Sequence, residues 1–123
     1  ILLVDDDVRN IFALTSALEH KGAIVVIGRN GHEAIERLNE EDDIDLVLMD
    51  VMMPEMDGYE ATVEIRKNPR WRKLPIIAVT AKAMKDDQER CLQAGSNDYL
   101  AKPIDLDRLF SLIRVWLPKM ERI

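Results

Sequence analysis

Asp5, Asp6, Asp50, Thr80 and Lys102 could do chemistry together, because each follows or ends a short apolar run. Asp5 and Asp6 follow residues 1–4, Asp50 follows Leu46-Val-Leu-Met49, Thr80 follows Ile76-Ile-Ala-Val79, and Lys102 follows Tyr99-Leu-Ala101. Carboxylates gathered at one place repel one another, and a hard divalent cation relieves the repulsion. Mg²⁺ suits such a set because it accepts a few carboxylate oxygens and keeps several waters, which leaves room for a phosphoryl group. Asp50 is the best-placed nucleophile, since it stands alone at its run's end with a loop behind it, and aspartyl phosphate is an established covalent intermediate. Lys102 supplies a compact positive charge for Asp50 when the site is empty and for a phosphoryl oxygen when it is loaded. Thr80 adds a hydroxyl. The chemistry is in-line attack by Asp50 on phosphorus, with metal and ammonium neutralising the equatorial oxygens. Taken singly, each residue has a plainer reading: the acids as helix caps, Asp50 as a turn former, Thr80 as a strand terminator and Lys102 as a surface lysine.

The elements between these residues explain how they could meet. Residues 1–4, 23–27, 46–49, 76–79 and 97–100 read as short buried strands. Between them, apolar residues recur at helical spacing: Ile11, Leu14 and Leu18, supported by Phe12 and Ala17; then Ala34, Ile35 and Leu38; then Tyr59, Thr62, Val63 and Ile65. Residues 84–94 give a weaker helix carrying Cys91 and Leu92, and Leu106, Leu109, Phe110, Ile113 and Leu117 mark the last, with Asp105 as its cap. Lys21-Gly22 and Gly95 suit helix ends, Asn68-Pro69 frays the third helix, and Trp71 falls in a basic connection. Strands joined by single helices predict an α/β fold: a (βα)5 doubly wound three-layer sandwich around a parallel sheet. The strand order 2-1-3-4-5 is favoured because it makes the first and third strands neighbours, placing Asp5, Asp6 and Asp50 at the switch point.

With 123 residues, 47% of them hydrophobic, the chain has the length of one domain with a real core. The single Cys91 cannot form an internal bridge, which points to a reducing, cytoplasmic setting with an inert thiol. A net charge of -6 argues against general affinity for nucleic acid or anionic membrane. No apolar run approaches a membrane span, so this domain is expected to make no membrane contact, although the parent protein can still be membrane-anchored. The start at Ile1, inside a strand, suggests one domain over residues 1–123, excised from a longer multidomain protein.

The chain resembles the receiver domain of two-component response regulators. The motifs that carry the resemblance are Val4-Asp5-Asp6, Leu48-Met-Asp50-Val-Met-Met-Pro54-Glu-Met-Asp-Gly58, Val79-Thr80-Ala81 and Tyr99-Leu-Ala-Lys102-Pro103. They occur in order and cover practically the whole chain, on the flavodoxin-like receiver fold. The resemblance implies Asp50 as phosphoacceptor, direct Mg²⁺ ligation by Asp6 and Asp50 and by the Met52 backbone carbonyl, and Asp5 acting through water. Mn²⁺ is an expected substitute. It also implies that Lys102 contacts the phosphoryl group, that the Lys102–Pro103 peptide is cis, and that Thr80 and Tyr99 form a switch pair remodelling the surface of the fourth helix, fifth strand and fifth helix. Ala81 is small and leaves access to Asp50, whereas Met52 and Lys82 match the variable positions beside the attacking water. A bulky thioether there predicts slow self-dephosphorylation.

The implied donor is a phosphohistidine on a histidine kinase dimerisation domain or a histidine phosphotransfer protein, docking on the first helix around Phe12 and Ala13. A homodimer is the other implied partnership. His20 and His32 match no histidine of the family and read as ordinary helix or cap residues. The Asp50 loop, the segment Thr80-Ala-Lys-Ala83 and the last helix look most like receivers of hybrid sensor histidine kinases, so the expected parent is a protein-histidine kinase. Two other classes were weighed. A receiver-like docking module would not need the intact acid, hydroxyl and lysine set, and a small hydrolase or nucleotide-binding protein would want a glycine-rich phosphate loop or a second acid two residues after Asp50.

Overall fold

The computed structural model describes residues 1–53, 56–81 and 85–117. The elements alternate along the chain: β1 (Leu2–Val4), α1 (Val8–His20), β2 (Val26–Gly28), α2 (Gly31–Glu40), β3 (Val47–Asp50), α3 (Gly58–Lys67), a 3-10 turn (Pro69–Trp71), β4 (Ile76–Thr80), α4 (Lys85–Ala94), β5 (Asp98–Ala101) and α5 (Leu106–Trp116). All strand pairings are parallel, in the order β2-β1-β3-β4-β5. Single helical crossovers require this parallel pairing, and near-continuous apolar strands suit a sheet covered on both faces.

Alternate residues along each strand serve opposite faces. On one face Leu3, Leu48, Ile77 and Leu100 pack against Leu14 and Leu18 of α1 and Leu109 and Ile113 of α5. On the other, Leu2, Val47, Met49 and Ile76 pack against Ala34 and Leu38 of α2 and Ala61 and Ile65 of α3. A smaller cluster of Val51, Ala78 and Cys91 continues the second face under α4, with Tyr59 and Tyr99 against it. Burying one Leu or Ile side chain stabilises the fold by about 1.5–3 kcal/mol, so the two large clusters dominate stability.

Helix starts and stops follow local chemistry. Asp7, Asn30, Asp57 and Asp105 cap α1, α2, α3 and α5 through side-chain oxygens that accept backbone N–H groups. Gly22 and Gly95 follow α1 and α4 with φ of 90° and 115°, conformations that a Cβ would strain.

Several expectations need correction. The second strand runs over Val26–Gly28 instead of 23–27, because only these residues lie opposite Leu2–Val4. The fifth runs over Asp98–Ala101 instead of 97–100, since the Asn97 side chain accepts from Ile76 N at 2.9 Å and from Arg66 Nη2 at 2.8 Å, closing off the strand before it. The fourth helix is described from Lys85, and Met84 lies outside the described residues. Trp71 lies in the basic connection between α3 and β4, where it is 7% exposed and packs with Ile65 and Ile76. Conversely, Phe12 is 75% exposed and takes no part in the buried stripe of α1, and Val63, Leu92 and Leu106 also face outward.

Candidate functional site

Strand ends bring the reactive residues together. Val4 pairs with Met49, so the residues that follow, Asp5 and Asp50, stand side by side at the carboxyl ends of β1 and β3. Thr80 pairs with Ala101, which places Lys102 directly beyond. Backbone bonds hold the rim: Asp5 N donates to Gly28 O at 3.1 Å, Val51 N to Val79 O at 3.0 Å, and Lys102 N to Thr80 O at 2.8 Å. The Lys102–Pro103 peptide is cis, as it is in the expectation above.

Carboxylate oxygens of Asp5, Asp6 and Asp50 all lie within 4.8 Å of one another. Asp5 and Asp50 are buried while Asp6 is exposed, so the cluster has a closed floor and an open mouth. Asp50 Oδ2 accepts from Lys102 Nζ at 3.0 Å, and Asp50 Oδ1 accepts from the Met52 backbone N–H at 3.1 Å. The same ammonium is 3.9 Å from Asp5 Oδ2. Asp5 is further held by the Asp7 backbone N–H at 2.8 Å on Oδ1 and by Asn10 Nδ2 at 3.0 Å on Oδ2.

Burial pushes the Asp50 carboxyl above its ordinary value, and the neighbouring Asp5 adds to the rise against the opposing pull of Lys102 and the Met52 N–H. Burial pulls Lys102 down, but its bond to Asp50 and the charges of Asp50, Asp5 and Asp6 more than offset this, leaving the ammonium above the ordinary lysine value. The two shifts differ in origin: burial dominates the rise of Asp50, whereas the bond to Asp50 and the surrounding carboxylate charge lift Lys102 against its own burial. Hard oxygen donors in this number, with one exposed toward solvent, fit a Mg²⁺ ion that keeps part of its water shell.

The other residues singled out from sequence fall around this cluster. Thr80 is buried at the end of β4, and exposed Ala81 follows it. Tyr99 is half-buried on β5 beside Ala78, two residues below Thr80. Met52 is 68% exposed, while Lys82 lies outside the described residues, as do Pro54 and Glu55 of the Asp50 loop. His20 and His32 are exposed on α1 and α2. Of the acidic triplet, only Asp7 is the cap of α1; Asp5 and Asp6 belong to the cluster.

Asn10 escaped the sequence reading, and Gly58, quoted there only within the Asp50 motif, has a tighter role than the motif shows. Gly58 lies so close to the strand end that a Cβ there would run into the Asp50 carbonyl oxygen and come within 2.7 Å of Val51 Cα, so the loop closes only over glycine. Asn10 reaches Asp5 from the first turns of α1, and the signal was its place on the side of the helix that faces the strand ends.

The model of the response regulator receiver domain matches residues 1–114. This chain belongs to that family. As a receiver, it is 41% identical over 118 residues to the signal transduction histidine-protein kinase BarA of Escherichia coli, a match that spans 96% of this chain and 13% of BarA. The chain therefore corresponds to about one eighth of such a kinase. It is also 38% identical to the polar-differentiation response regulator DivK of Brucella anthropi, over 95% of this chain and 94% of DivK. Among solved structures, the receiver domain of sensor histidine kinase PA1611 from Pseudomonas aeruginosa is 40% identical, with a TM-score of 0.87 and 95% of each chain covered. That receiver was crystallised with a magnesium ion coordinated in its active site cleft.

Proposed function

We propose that this receiver accepts a phosphoryl group on Asp50 from a phosphohistidine in a two-component phosphorelay. The observation that supports it most is the pairing of Lys102 Nζ with Asp50 Oδ2 at 3.0 Å beside acids whose oxygens lie within 4.8 Å. An Asp50 oxygen attacks phosphorus in line, an O–P bond forms and the P–N bond to the imidazole breaks. The bonding pair leaves with the imidazole nitrogen, which takes a proton from solvent. Lys102 moves its positive charge from the carboxylate to a phosphoryl oxygen, and the Met52 N–H holds Asp50 for attack. Asp6 and Asp50, with the Met52 carbonyl and with Asp5 through water, would hold Mg²⁺ or Mn²⁺. When bound, the ion supplies positive charge opposite the transferring group.

Thr80 then follows the phosphoryl oxygen and Tyr99 turns inward, remodelling the surface of α4, β5 and α5 or readying the group for onward transfer. Exposed Val8 and Phe12 on α1 are the docking face for a histidine kinase dimerisation domain or phosphotransfer protein. The parent is a hybrid sensor histidine kinase, membrane-anchored or not, in which residues 1–123 form a single cytoplasmic receiver. Likeness to the BarA segment supports this parentage. Among the described residues no helix is long and apolar enough to cross a membrane. Exposed Met52 crowds the hydrolytic water while small Ala81 leaves the donor a path, with Lys82 as the second tuning position; Met52→Asn should speed phospho-decay, and an unchanged or slower rate would count against the crowding.

The test is incubation with acetyl phosphate, with and without Mg²⁺. Label that requires the metal and disappears in Asp50→Asn is the expected result. Folded wild type that takes no label under these conditions would leave only a docking module.

A further inference from the structure

Asp5 is the one acid of the cluster with both oxygens tied to donors outside the reacting centre. Oδ1 accepts from the Asp7 backbone and Oδ2 from the Asn10 amide at 3.0 Å, while Lys102 Nζ stands 3.9 Å from that same Oδ2 and 3.0 Å from Asp50. Lys102 lies between two nearly equivalent buried carboxylates, yet it is bonded to only one. The difference is Asn10. Its donor satisfies the Asp5 oxygen nearest the lysine, so the ammonium gains less there than on Asp50. Asn10 sits on α1, whose start is fixed by the Asp7 cap, and it lines the groove that also holds Lys102, Pro103 and Ile104. The amide is therefore delivered by a rigid element, as an outer partner of a metal-binding carboxylate must be.

We propose that Asn10 is a positioning residue of the acidic site: it orients Asp5 toward the cation and keeps Lys102 on Asp50. The inference rests on the Mg²⁺-dependent reading above. Without the amide, Lys102 swings between the two carboxylates, and a cation must then compete with it for Asp5. Loss of a partner of a direct ligand typically weakens metal binding about 10–100-fold, and because Asp5 acts through water the lower end of that range applies to Asn10.

The experiment is calorimetric titration of Mg²⁺ into wild type, Asn10→Ala, Asn10→Leu, Asp5→Asn and the Asp5→Asn variants of both substitutions. Alanine and leucine are better helix formers than asparagine, so α1 should persist, and unfolding midpoints without Mg²⁺ should stay within a few degrees of wild type. The expected result is roughly tenfold weaker Mg²⁺ binding in both single variants and no further loss when Asp5 is already asparagine. A change below about twofold with Asp5 intact, or an equal loss in the Asp5→Asn background, would overturn the role of Asn10 while leaving the site's reading intact. Wild type that binds no Mg²⁺ would overturn both the role of Asn10 and the Mg²⁺-dependent reading it rests on.

Discussion

Helices α4 and α5 flank the same edge of the sheet on opposite faces, and they are held in different ways. α5 buries Leu109 and Ile113 completely, is capped by Asp105, and is tied to β5 by Trp116 Nε1 donating to Asp98 Oδ2 at 3.3 Å. α4 buries Cys91 alone. Its other ties are polar or aromatic: the Arg90 guanidinium lies 4.2 Å from the Tyr59 ring centroid, the Cys91 thiol meets the Tyr59 hydroxyl at 4.0 Å, and Arg66 Nε donates to Gly95 O at 3.0 Å. Burial pushes the Tyr59 phenol up to about 12 and raises the Cys91 thiol, so both stay neutral and their contact is weak. Apolar burial fixes α5 at a cost of several kcal/mol to disturb, whereas α4 is attached by contacts that open locally at small cost. The attachment also leads back to the site, because Tyr59 follows Gly58, whose N–H donates to Val51 O at 3.2 Å in the loop behind Asp50. The element that the Asp50 loop enters is thus also the one that holds α4.

The contrast can be broken most easily in the core. Leu109→Ala should lower stability by about 2–5 kcal/mol in urea unfolding, against about 1 kcal/mol for Cys91→Ala. Equal losses would mean that α4 is anchored as firmly as α5. Next, Arg66 donates to Gly95 O, to Trp71 O at 2.7 Å and to Asn97 Oδ1 at 2.8 Å, joining α3 to the far end of α4. Arg66→Ala should cost about 1–3 kcal/mol, and Arg66→Lys should recover little, because the donors of an ammonium radiate from one nitrogen whereas Arg66 uses three separate nitrogens of a planar fork.

The effect of Asp50→Asn has the opposite sign. The folded carboxyl titrates above the ordinary 3.8, so the folded state binds more protons than the unfolded one. Stability without Mg²⁺ therefore falls as pH rises from that ordinary value through the raised one, and the penalty persists at neutral pH. Removing the charge should raise the metal-free unfolding midpoint at pH 7 and should flatten the acid-side slope. A lower midpoint would mean that the Lys102 pair outweighs burial. The smallest effect is expected for Arg90→Ala, about 0.5 kcal/mol, with faster amide exchange in α4 and unchanged exchange in α5.

Much of this was legible before any coordinates. The alternation of apolar runs and helical periodicity led to the five-stranded parallel order, and the candidate site residues were singled out because open sheets of this kind gather chemistry at strand ends. What escaped was set by partners distant in sequence. The edge strands shifted because register belongs to pairs: Val26 is a strand residue by facing Leu2, and Asn97 leaves the strand by spending its side chain on Arg66. The basic neighbours of Trp71 hid its burial, since it packs with Ile65 of α3 and Ile76 of β4. Phe12 counted both toward the apolar spacing of α1 and toward its docking face, and the helix turns it outward. Asn10 carries only a positional mark, its place on the side of α1 that faces the strand ends, and the packing of α1 over β1 gives that place its meaning.

The most direct measurement is the position of the covalent bond. Protein labelled by acetyl phosphate with Mg²⁺ is reduced with borohydride, which converts an aspartyl phosphate to homoserine, and the peptides are sequenced by mass spectrometry. Homoserine at position 50, and none at Asp5 or Asp6, is the predicted result; conversion at either neighbour, or none at position 50 in labelled protein, would contradict the assignment of Asp50 as the acceptor.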